Sequence, residues 1–135
     1  MPFITWNDKY SVGIKEIDSQ HQRLVEILNE LHEAMKAGKS KDIIDDTIKK
    51  LVDYTLYHFT LEEKYMMKYS YPGFLKHKDT HLEFVEKMKL YQNDIKNGKT
   101  PVTIELIGYL RDWVLKHVQG MDKEYAPFLN SKGLR

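Results

Sequence analysis

Cysteine is absent from this chain of 135 residues, which excludes disulfides, thiolate metal sites and iron–sulfur clusters. Any metal ion that the protein binds must use imidazole and carboxylate groups, which suit iron, manganese and zinc. An excess of charge is absent too, because 21 basic residues face 20 acidic ones and leave a net charge of +1. This balance gives no electrostatic reason to expect nucleic acid or an anionic membrane as a partner.

Long apolar runs are also missing. None approaches the roughly 20 residues that a helix needs to cross a bilayer. The first residues, MPFITWNDKYSVG, lack the basic and apolar regions of a secretory signal. We therefore expect a cytoplasmic protein without membrane insertion. The length predicts a single domain over residues 1–135, large enough to bury a core without disulfides.

Apolar residues recur at alternating steps of three and four, which is typical of helices that bury one face. The pattern predicts helices over residues 19–37, 40–71, 74–97 and 101–120. Short connections make neighbouring helices antiparallel, so we predict an all-α, up-down-up-down four-helix bundle. Asp18 or Ser19 would cap the first helix, after an irregular N-terminal arm. The tail from Asp122 onwards is predicted to be irregular, with Tyr125 and Phe128 as anchors.

Five of the six histidines fall on the inward faces of these helices. They are His21 in the first helix, His58 in the second, His77 and His81 in the third, and His117 in the fourth. In an up-down-up-down bundle all of these places lie at the same end. Imidazoles clustered in a core would destabilise it unless a metal ion held them. His32 lies off this level, and we expect it at the surface or at the boundary of the core.

Two carboxylates complete the candidate metal site. Glu62 lies one turn after His58 on the inward face, whereas Glu63 is expected to face solvent. Asp122 follows His117 by five residues, and Gly120 between them can end the helix so that Asp122 folds back. Asp18 is a rival carboxylate near His21, although capping is its expected role. Two octahedral ions need twelve bonds. If both carboxylates and one solvent atom bridge the ions, they and the five imidazoles supply eleven, so one position stays vacant.

The ligand types and the order of the motifs together indicate the class of metalloprotein. A site rich in imidazole and free of thiolate fits octahedral iron better than zinc. Ferritin-like proteins use Glu-x-x-His motifs, which occur nowhere in this chain. The chain carries TWNDKYSVGIKEIDSQHQRL, HFTLEE, HKDTH and WVLKHVQGMDKEY in this order. Over nearly its whole length it resembles the hemerythrins, and in particular the single-domain bacteriohemerythrins.

The resemblance implies a non-haem di-iron site with a bridging oxo or hydroxo group. The implied ligands are His77, His81 and His117 for one iron, His21 and His58 for the other, and Glu62 and Asp122 as bridges. It further implies reversible binding of dioxygen at the iron with two histidines. Such a protein would serve in oxygen storage, sensing or delivery, for example to an oxygen-consuming enzyme.

An apolar wall around the vacant position would keep out water, protons and reductants. By position, the candidates for this wall are Leu24, Leu28, Phe59, Trp113, Val114 and Val118. Ordinary bundle packing explains these side chains equally well, except for Val114, which lies one turn inward of His117.

Two other functions stay open on the residues alone. The same centre could reduce peroxide or nitric oxide, although no extra acid–base residue on the inward faces supports an enzyme. The protein could also be an iron buffer without dioxygen chemistry, but a buried site with many ligands favours tightly held metal instead. We expect no enzymatic activity. We also expect a monomer, since the helix exteriors show no large apolar patch.

Overall fold

Four long helices form the body of the protein. The computed structural model describes residues 3–98 and 104–135. The α-helices in these ranges are α1 (Lys15–Lys36), α2 (Lys41–Lys68), α3 (Phe74–Lys96), α4 (Ile104–His117) and α5 (Lys123–Ser131). A 3-10 turn at Asp8–Tyr10 precedes α1, and a π-helical turn at Val118–Asp122 joins α4 to α5. No strand occurs in the described ranges.

The arrangement of the helices is the predicted one. α1 packs against α2 and α4, and α2 packs against α3. Phe84 of α3 stacks on Trp113 of α4, which closes the ring of four helices. The prediction of an all-α four-helix bundle is therefore confirmed. In the part of the chain that the structure describes, no helix is long and apolar enough to cross a membrane.

Local signals account for several helix ends. Ser40 caps α2, because its hydroxyl oxygen accepts a hydrogen bond from the Ile43 N–H at 3.4 Å. Gly38, which follows the end of α1, has φ +66°, a conformation that favours glycine after a helix. The predicted start of the fourth helix, at residue 101, lies outside the described residues.

The first helix begins earlier than predicted. α1 starts at Lys15, so Asp18 lies inside its first turn and does not precede the helix. The Asp18 carboxylate instead accepts hydrogen bonds from the Ser11 hydroxyl at 2.5 Å and the Val12 N–H at 2.8 Å. These bonds fix the arm against the helix. Ile17 is fully buried. Its burial stabilises the helical turn that begins at Lys15, before the predicted cap at Asp18 or Ser19.

The N-terminal arm is mostly irregular, as predicted, and it is fastened along α1 and α4. The Asn29 side chain bonds both the N–H and the carbonyl of Ile4, at 2.7 and 2.9 Å. Ile4 and Tyr10 are buried in the main core. The Trp6 ring lies 6.5 Å from the ring of His21, so the arm covers one edge of the histidine level.

The C-terminal tail is helical, so its prediction as irregular is wrong. α5 contains Pro127, and an interior proline costs a helix about 3 kcal/mol. The Pro127 ring itself is exposed, whereas Tyr125 and Leu129 of the same helix are fully buried. Burying each of these two side chains contributes about 2 kcal/mol, which offsets the proline.

Apolar side chains form two clusters with a polar layer between them. The larger cluster, called here the main core, fills the bundle beyond Leu24 and Phe59. The smaller one, called here the closing cluster, lies where α5 covers the end of the bundle. Its buried members are Val12, Ile14, Ile17, Met66, Tyr125, Ala126 and Leu129. The predicted histidine level separates the two clusters along α1, α2 and α3.

Candidate metal centre

All seven predicted ligand side chains lie in the polar layer, and none is more than 7% exposed. They are His21, His58, Glu62, His77, His81, His117 and Asp122. α1 contributes one of them, α2 two, α3 two and α4 one, while Asp122 ends the π-helical turn. His32 is not among them, since its ring stacks on Phe3 at 4.1 Å.

A π-helical turn brings Asp122 to His117. In a regular α-helix, a residue five positions later points roughly 140° away. The wider turn over Val118–Asp122 places the Asp122 Oδ1 3.1 Å from the His117 Nε2. The prediction that Gly120 ends the helix is therefore wrong, because the chain stays helical into α5. Single π turns of this kind are frequent at functional sites.

The ligand-type atoms form two groups, and the atoms of each group lie within 4.8 Å of one another. The groups are His77, His81, His117 and Asp122, and His21, His58, Glu62 and Asp122. Asp122 belongs to both, since its Oδ1 lies 3.0 Å from the His77 Nε2 and its Oδ2 3.0 Å from the His21 Nε2. Its two oxygens thus face different groups.

Glu62 also reaches both groups. Its Oε1 lies 2.8 Å from the Nε2 of His58 and 3.7 Å from the Nε2 of His81. Its Oε2 accepts a hydrogen bond from the hydroxyl of Tyr125. Burial and the charge of Asp122 oppose ionisation, but His58 and His21 lower the pKa of Glu62 to about 2. The group is therefore a carboxylate at neutral pH.

Several buried polar atoms of this layer make no hydrogen bond of good geometry. They are both ring nitrogens of His21, the Oε1 of Glu62 and both carboxylate oxygens of Asp122. Apart from the outer nitrogen of His21, they face one another or other imidazoles at about 3 Å without a well-directed hydrogen bond. Incomplete hydrogen bonding of buried polar groups costs free energy, about 1–3 kcal/mol for a group with no partner at all. Metal ions between the two groups would satisfy all of these atoms except the outer nitrogen of His21. The donor set therefore fits a pair of ions that take imidazole and carboxylate ligands.

Two residues orient the imidazoles from outside. The Nδ1 of His58 lies 2.7 Å from the Gln20 Oε1, and the Nδ1 of His81 lies 3.0 Å from the Glu63 Oε2. A proton held on Nδ1 leaves Nε2 free to bind a metal. The expectation that Glu63 faces solvent is wrong, since its side chain is only 20% exposed. Both residues lie one step off an inward row, where periodicity gives no signal.

Tyr125 is a site residue that sequence reasoning missed. The sequence suggested only an anchor in an irregular tail, but the side chain is fully buried and donates to Glu62. Burial and the charges of Glu62 and Asp122 raise the pKa of the phenol well above its usual value, so it stays a donor. Its spacing of three residues from Asp122 would have indicated this position if the tail had been predicted as helical.

A small cavity lies beside the group that contains His21 and His58. The volume in which the centre of a water-sized molecule can lie is about 10 Å³, which is enough for one such molecule. The lining residues are His21, Leu24, Thr55, His58, Phe59, Phe84, Trp113, Val114, His117, Val118 and Asp122. Of the predicted wall, only Leu28 is missing from this lining, and it is fully buried in the main core.

Aromatic rings close the layer on the side of the main core. The Phe59 ring stacks on His81 with 3.7 Å between centroids, and Trp113 stacks on His117 at 4.5 Å. Phe84 stacks in turn on Trp113 at 3.7 Å. These contacts hold two imidazole rings in place and exclude water from one side of them.

Protons compete with metal for two of the imidazoles. Burial opposes the charged form of His21 and His117, but the Asp122 carboxylate holds the pKa of both above the ordinary 6.5. Burial likewise opposes the charge of Asp122, and His117, His21 and His77 hold its pKa well below the usual range. The metal-free layer thus pairs imidazolium groups with carboxylates.

Metal uptake by the metal-free protein is therefore expected to release protons. Because the pKa values of His21 and His117 are raised in the fold, their protonated forms stabilise the metal-free protein. This stabilisation is complete below about pH 6.5, the ordinary pKa of histidine, and is lost as the pH rises through the raised pKa values. Affinity for Fe²⁺ should rise with pH over the same window. Anaerobic calorimetry in buffers of different ionisation enthalpy measures both effects. An affinity independent of pH between about pH 6 and pH 8 would contradict this assignment.

Comparison with known proteins agrees with this geometry. The family model described as the hemerythrin HHE cation binding domain matches residues 12–129. A bacteriohemerythrin of Pseudomonas aeruginosa is 38% identical over 126 residues, which cover 93% of this chain and 81% of that protein. A bacteriohemerythrin of Methylococcus capsulatus is 29% identical over 132 residues, covering 97% of this chain and all of that one.

A solved structure is similar over the same length. The crystal structure of wild-type hemerythrin superimposes with a TM-score of 0.90 at 29% sequence identity. The superposition covers 94% of this chain and 98% of the other.

Proposed function

The chain belongs to the hemerythrin family, as the match over residues 12–129 shows, and on this premise we propose that it binds dioxygen reversibly at a non-haem di-iron centre. The proposed ligands are His77, His81 and His117 for one iron, His21 and His58 for the other, and Glu62 and Asp122 as bridges. The iron pair would supply the electrons for reversible binding of dioxygen, and the protein chain would control access and protons.

The position of the small cavity carries the proposal. The group with three histidines has no position left for a further ligand if both carboxylates and one solvent atom bridge the two octahedral ions. The cavity is lined by both histidines of the other group, His21 and His58, but by only one histidine of the three-histidine group, His117. It has room for one small molecule. An open position beside a small, apolar space suits dioxygen.

The surroundings of the cavity favour binding without turnover. Among the described residues that line it, the titratable ones are all proposed ligands. Thr55 adds a hydroxyl, but this group donates to the Leu51 carbonyl at 2.7 Å. Phe59, Trp113 and Val114 supply apolar surface. No free acid or base is available there to protonate a bound molecule, so we propose a carrier and no catalytic reaction.

Cycling of dioxygen tests the function. The iron-loaded protein is reduced without air, exposed to dioxygen and then purged, while the visible absorption is followed. We expect the spectrum to appear and disappear repeatedly, with two iron ions per chain, one for each of the two ligand groups. Irreversible oxidation on first exposure, with consumption of added peroxide or nitric oxide, would instead indicate an enzyme.

Two histidine variants sharpen this test. His21→Ala removes a proposed ligand beside the cavity, and we expect it to lose the reversible spectrum. His32→Ala is the matched control, because His32 lies on the same helix and stacks on Phe3, away from the proposed ligands. Equal losses in both variants would show that the spectrum reports general destabilisation of α1.

A further inference from the structure

Positive charge is concentrated at one end of the bundle, although the chain as a whole is nearly neutral. Residues 64–78, called here the basic segment, contain four lysines and no acidic residue. They comprise the last turn of α2, the loop that follows and the first turn of α3. The lysines are Lys64, Lys68, Lys76 and Lys78, and all four are exposed. The proposed binding of dioxygen assigns no role to this charge.

These four lysines differ from the others of α2 in having no acidic partner. Within residues 3–98 and 104–135, none of the four forms an ion pair. In the same helix, Lys41, Lys49 and Lys50 each pair with a carboxylate at 2.7–2.9 Å. The charge of the basic segment is therefore available to an anionic partner, whereas the charge at the other end of α2 is largely neutralised.

Few carboxylates surround the basic segment. Glu16 accepts a hydrogen bond from the hydroxyl of Tyr65 at 2.6 Å, and Glu63 bonds the Nδ1 of a proposed ligand at 3.0 Å. Asp79 and Glu124 are exposed nearby, the first directly after the segment and the second close enough to act on Tyr71. The four lysines thus outnumber the carboxylates that remain.

Two of the lysines lie over aromatic rings of the segment. The Lys68 Nζ is 5.4 Å from the ring centroid of Tyr69, and the Lys78 Nζ is 5.8 Å from that of Phe74. Lysines in this arrangement bury their alkyl stems against apolar surface while the ammonium groups reach water. Charge and apolar surface are therefore interleaved on this end of the protein.

Exposed apolar side chains flank the loop between the two helices. Met67 in the last turn of α2 is 57% exposed, and Leu75 in the first turn of α3 is 73% exposed. Tyr71 lies between them in the loop and is half-buried. A Cβ on Gly73 would come within 2.8 Å of the Tyr71 ring, so the loop is closely fitted around this ring.

We propose that the basic segment docks the protein on the surface of an anionic phospholipid bilayer. The lysines match the charge of the lipid phosphates, and each lysine near such a surface strengthens binding about fivefold. Met67 and Leu75 would enter the boundary between headgroups and acyl chains, where the amphipathic rings of tyrosines also lie favourably. Nucleic acid is less suitable, because its phosphates are bound by charge and offer exposed methionine and leucine no apolar phase.

Sedimentation with vesicles tests the docking. The iron-loaded full chain is mixed with vesicles of phosphatidylcholine alone, or of phosphatidylcholine with phosphatidylglycerol. We expect binding to the anionic vesicles only, and its loss at high salt, which screens the charges. The double variant Lys64→Gln/Lys68→Gln should bind about 25-fold more weakly, because it removes two of the lysines.

The matched control is Lys41→Gln/Lys49→Gln. It removes the same charge from the same helix, but at two lysines that are already paired with carboxylates. We expect this variant to bind the anionic vesicles nearly as well as the parent protein. Equal losses in the two double variants would show that only net charge matters and would overturn the proposal, as would failure of the parent protein to bind.

A fluorescent label identifies the face that meets the lipid. Because the chain has no cysteine, Leu75→Cys can be labelled at a single position with a dye that reports polarity. Leu90→Cys is the control, since Leu90 is similarly exposed on α3 but lies at the other end of the bundle. We expect a blue shift with anionic vesicles at position 75 and none at position 90.

A soluble polyanion separates the bilayer from an acidic protein or nucleic acid as the partner. Polyglutamate or heparin should compete weakly and should not shift the dye at position 75. Competition as strong as that of the vesicles, or vesicle binding without a blue shift at position 75, would indicate a general anion-binding surface and would overturn docking on a bilayer. None of these measurements depends on dioxygen, so the proposed function is tested separately.

Discussion

Asp122→Ala is expected to abolish stable binding of both proposed iron ions. The two oxygens of this carboxylate face different groups, at 3.0 Å from the His77 Nε2 and 3.0 Å from the His21 Nε2. Loss of a group that merely orients a ligand weakens metal binding about 10–100-fold. A carboxylate shared by both ions should cost more than about 100-fold in affinity. The measurement is iron per chain after dialysis, with the visible spectrum.

The control for this substitution is Asp112→Ala. Asp112 lies on α4, ten residues before Asp122, and its side chain is 70% exposed next to Arg111. We expect full iron content in this variant. Unchanged iron stoichiometry and spectra in Asp122→Ala would remove Asp122 from the site. They would also show that the π-helical turn serves another purpose.

Phe59→Ala is expected to accelerate irreversible oxidation of the dioxygen-bound protein and to lower stability strongly. Phe59 is 5% exposed, stacks on His81 and lines the small cavity. Truncating a buried phenylalanine typically costs about 3–5 kcal/mol. The space left beside the proposed dioxygen position admits water, which brings protons. Oxidation is followed as decay of the visible spectrum under air, and stability by urea unfolding.

Leu51→Ala separates the two effects of this change. Leu51 is 3% exposed, lies in the main core and is not among the residues that line the small cavity. Truncating Leu51 should lower the free energy of unfolding by about 2–5 kcal/mol, which is similar to the loss expected for Phe59→Ala. We expect oxidation of the dioxygen-bound protein to stay slow in this variant. If both variants oxidise equally fast, general loosening of the bundle is the cause, and Phe59 has no special part in excluding water.

The inward faces of the helices were predictable because periodicity reports burial. His21, His58 and His117 repeat in step with leucines and valines that must lie in the core, so their level followed from the helix order. The starts of the second helix near Ser40 and of the third at Phe74 were also predicted, but the second helix ends at Lys68 and not at residue 71. These features depend on short-range rules that a sequence displays directly.

The features that the sequence did not reveal depend on the contacts of the folded chain. The hydrogen-bond register of the π-helical turn leaves no periodic trace, so Asp122 could be placed near His117 only by assuming a break at Gly120. The exposed Pro127 suggested an irregular tail, but burial of Tyr125 outweighed this local signal. Gln20 is seen to orient His58 only when the two helices are packed side by side.

The polar layer between the two apolar clusters has a consequence for cooperativity. The main core and the closing cluster are each packed from apolar side chains, and between them lie buried carboxylates and imidazoles. Because Asp122 directly precedes α5, metal ions bound in this layer would link α5 to the ligands on the other helices. Metal binding and the folding of α5 would then depend on each other. Any process that loosens the C-terminal helix would also release the metal.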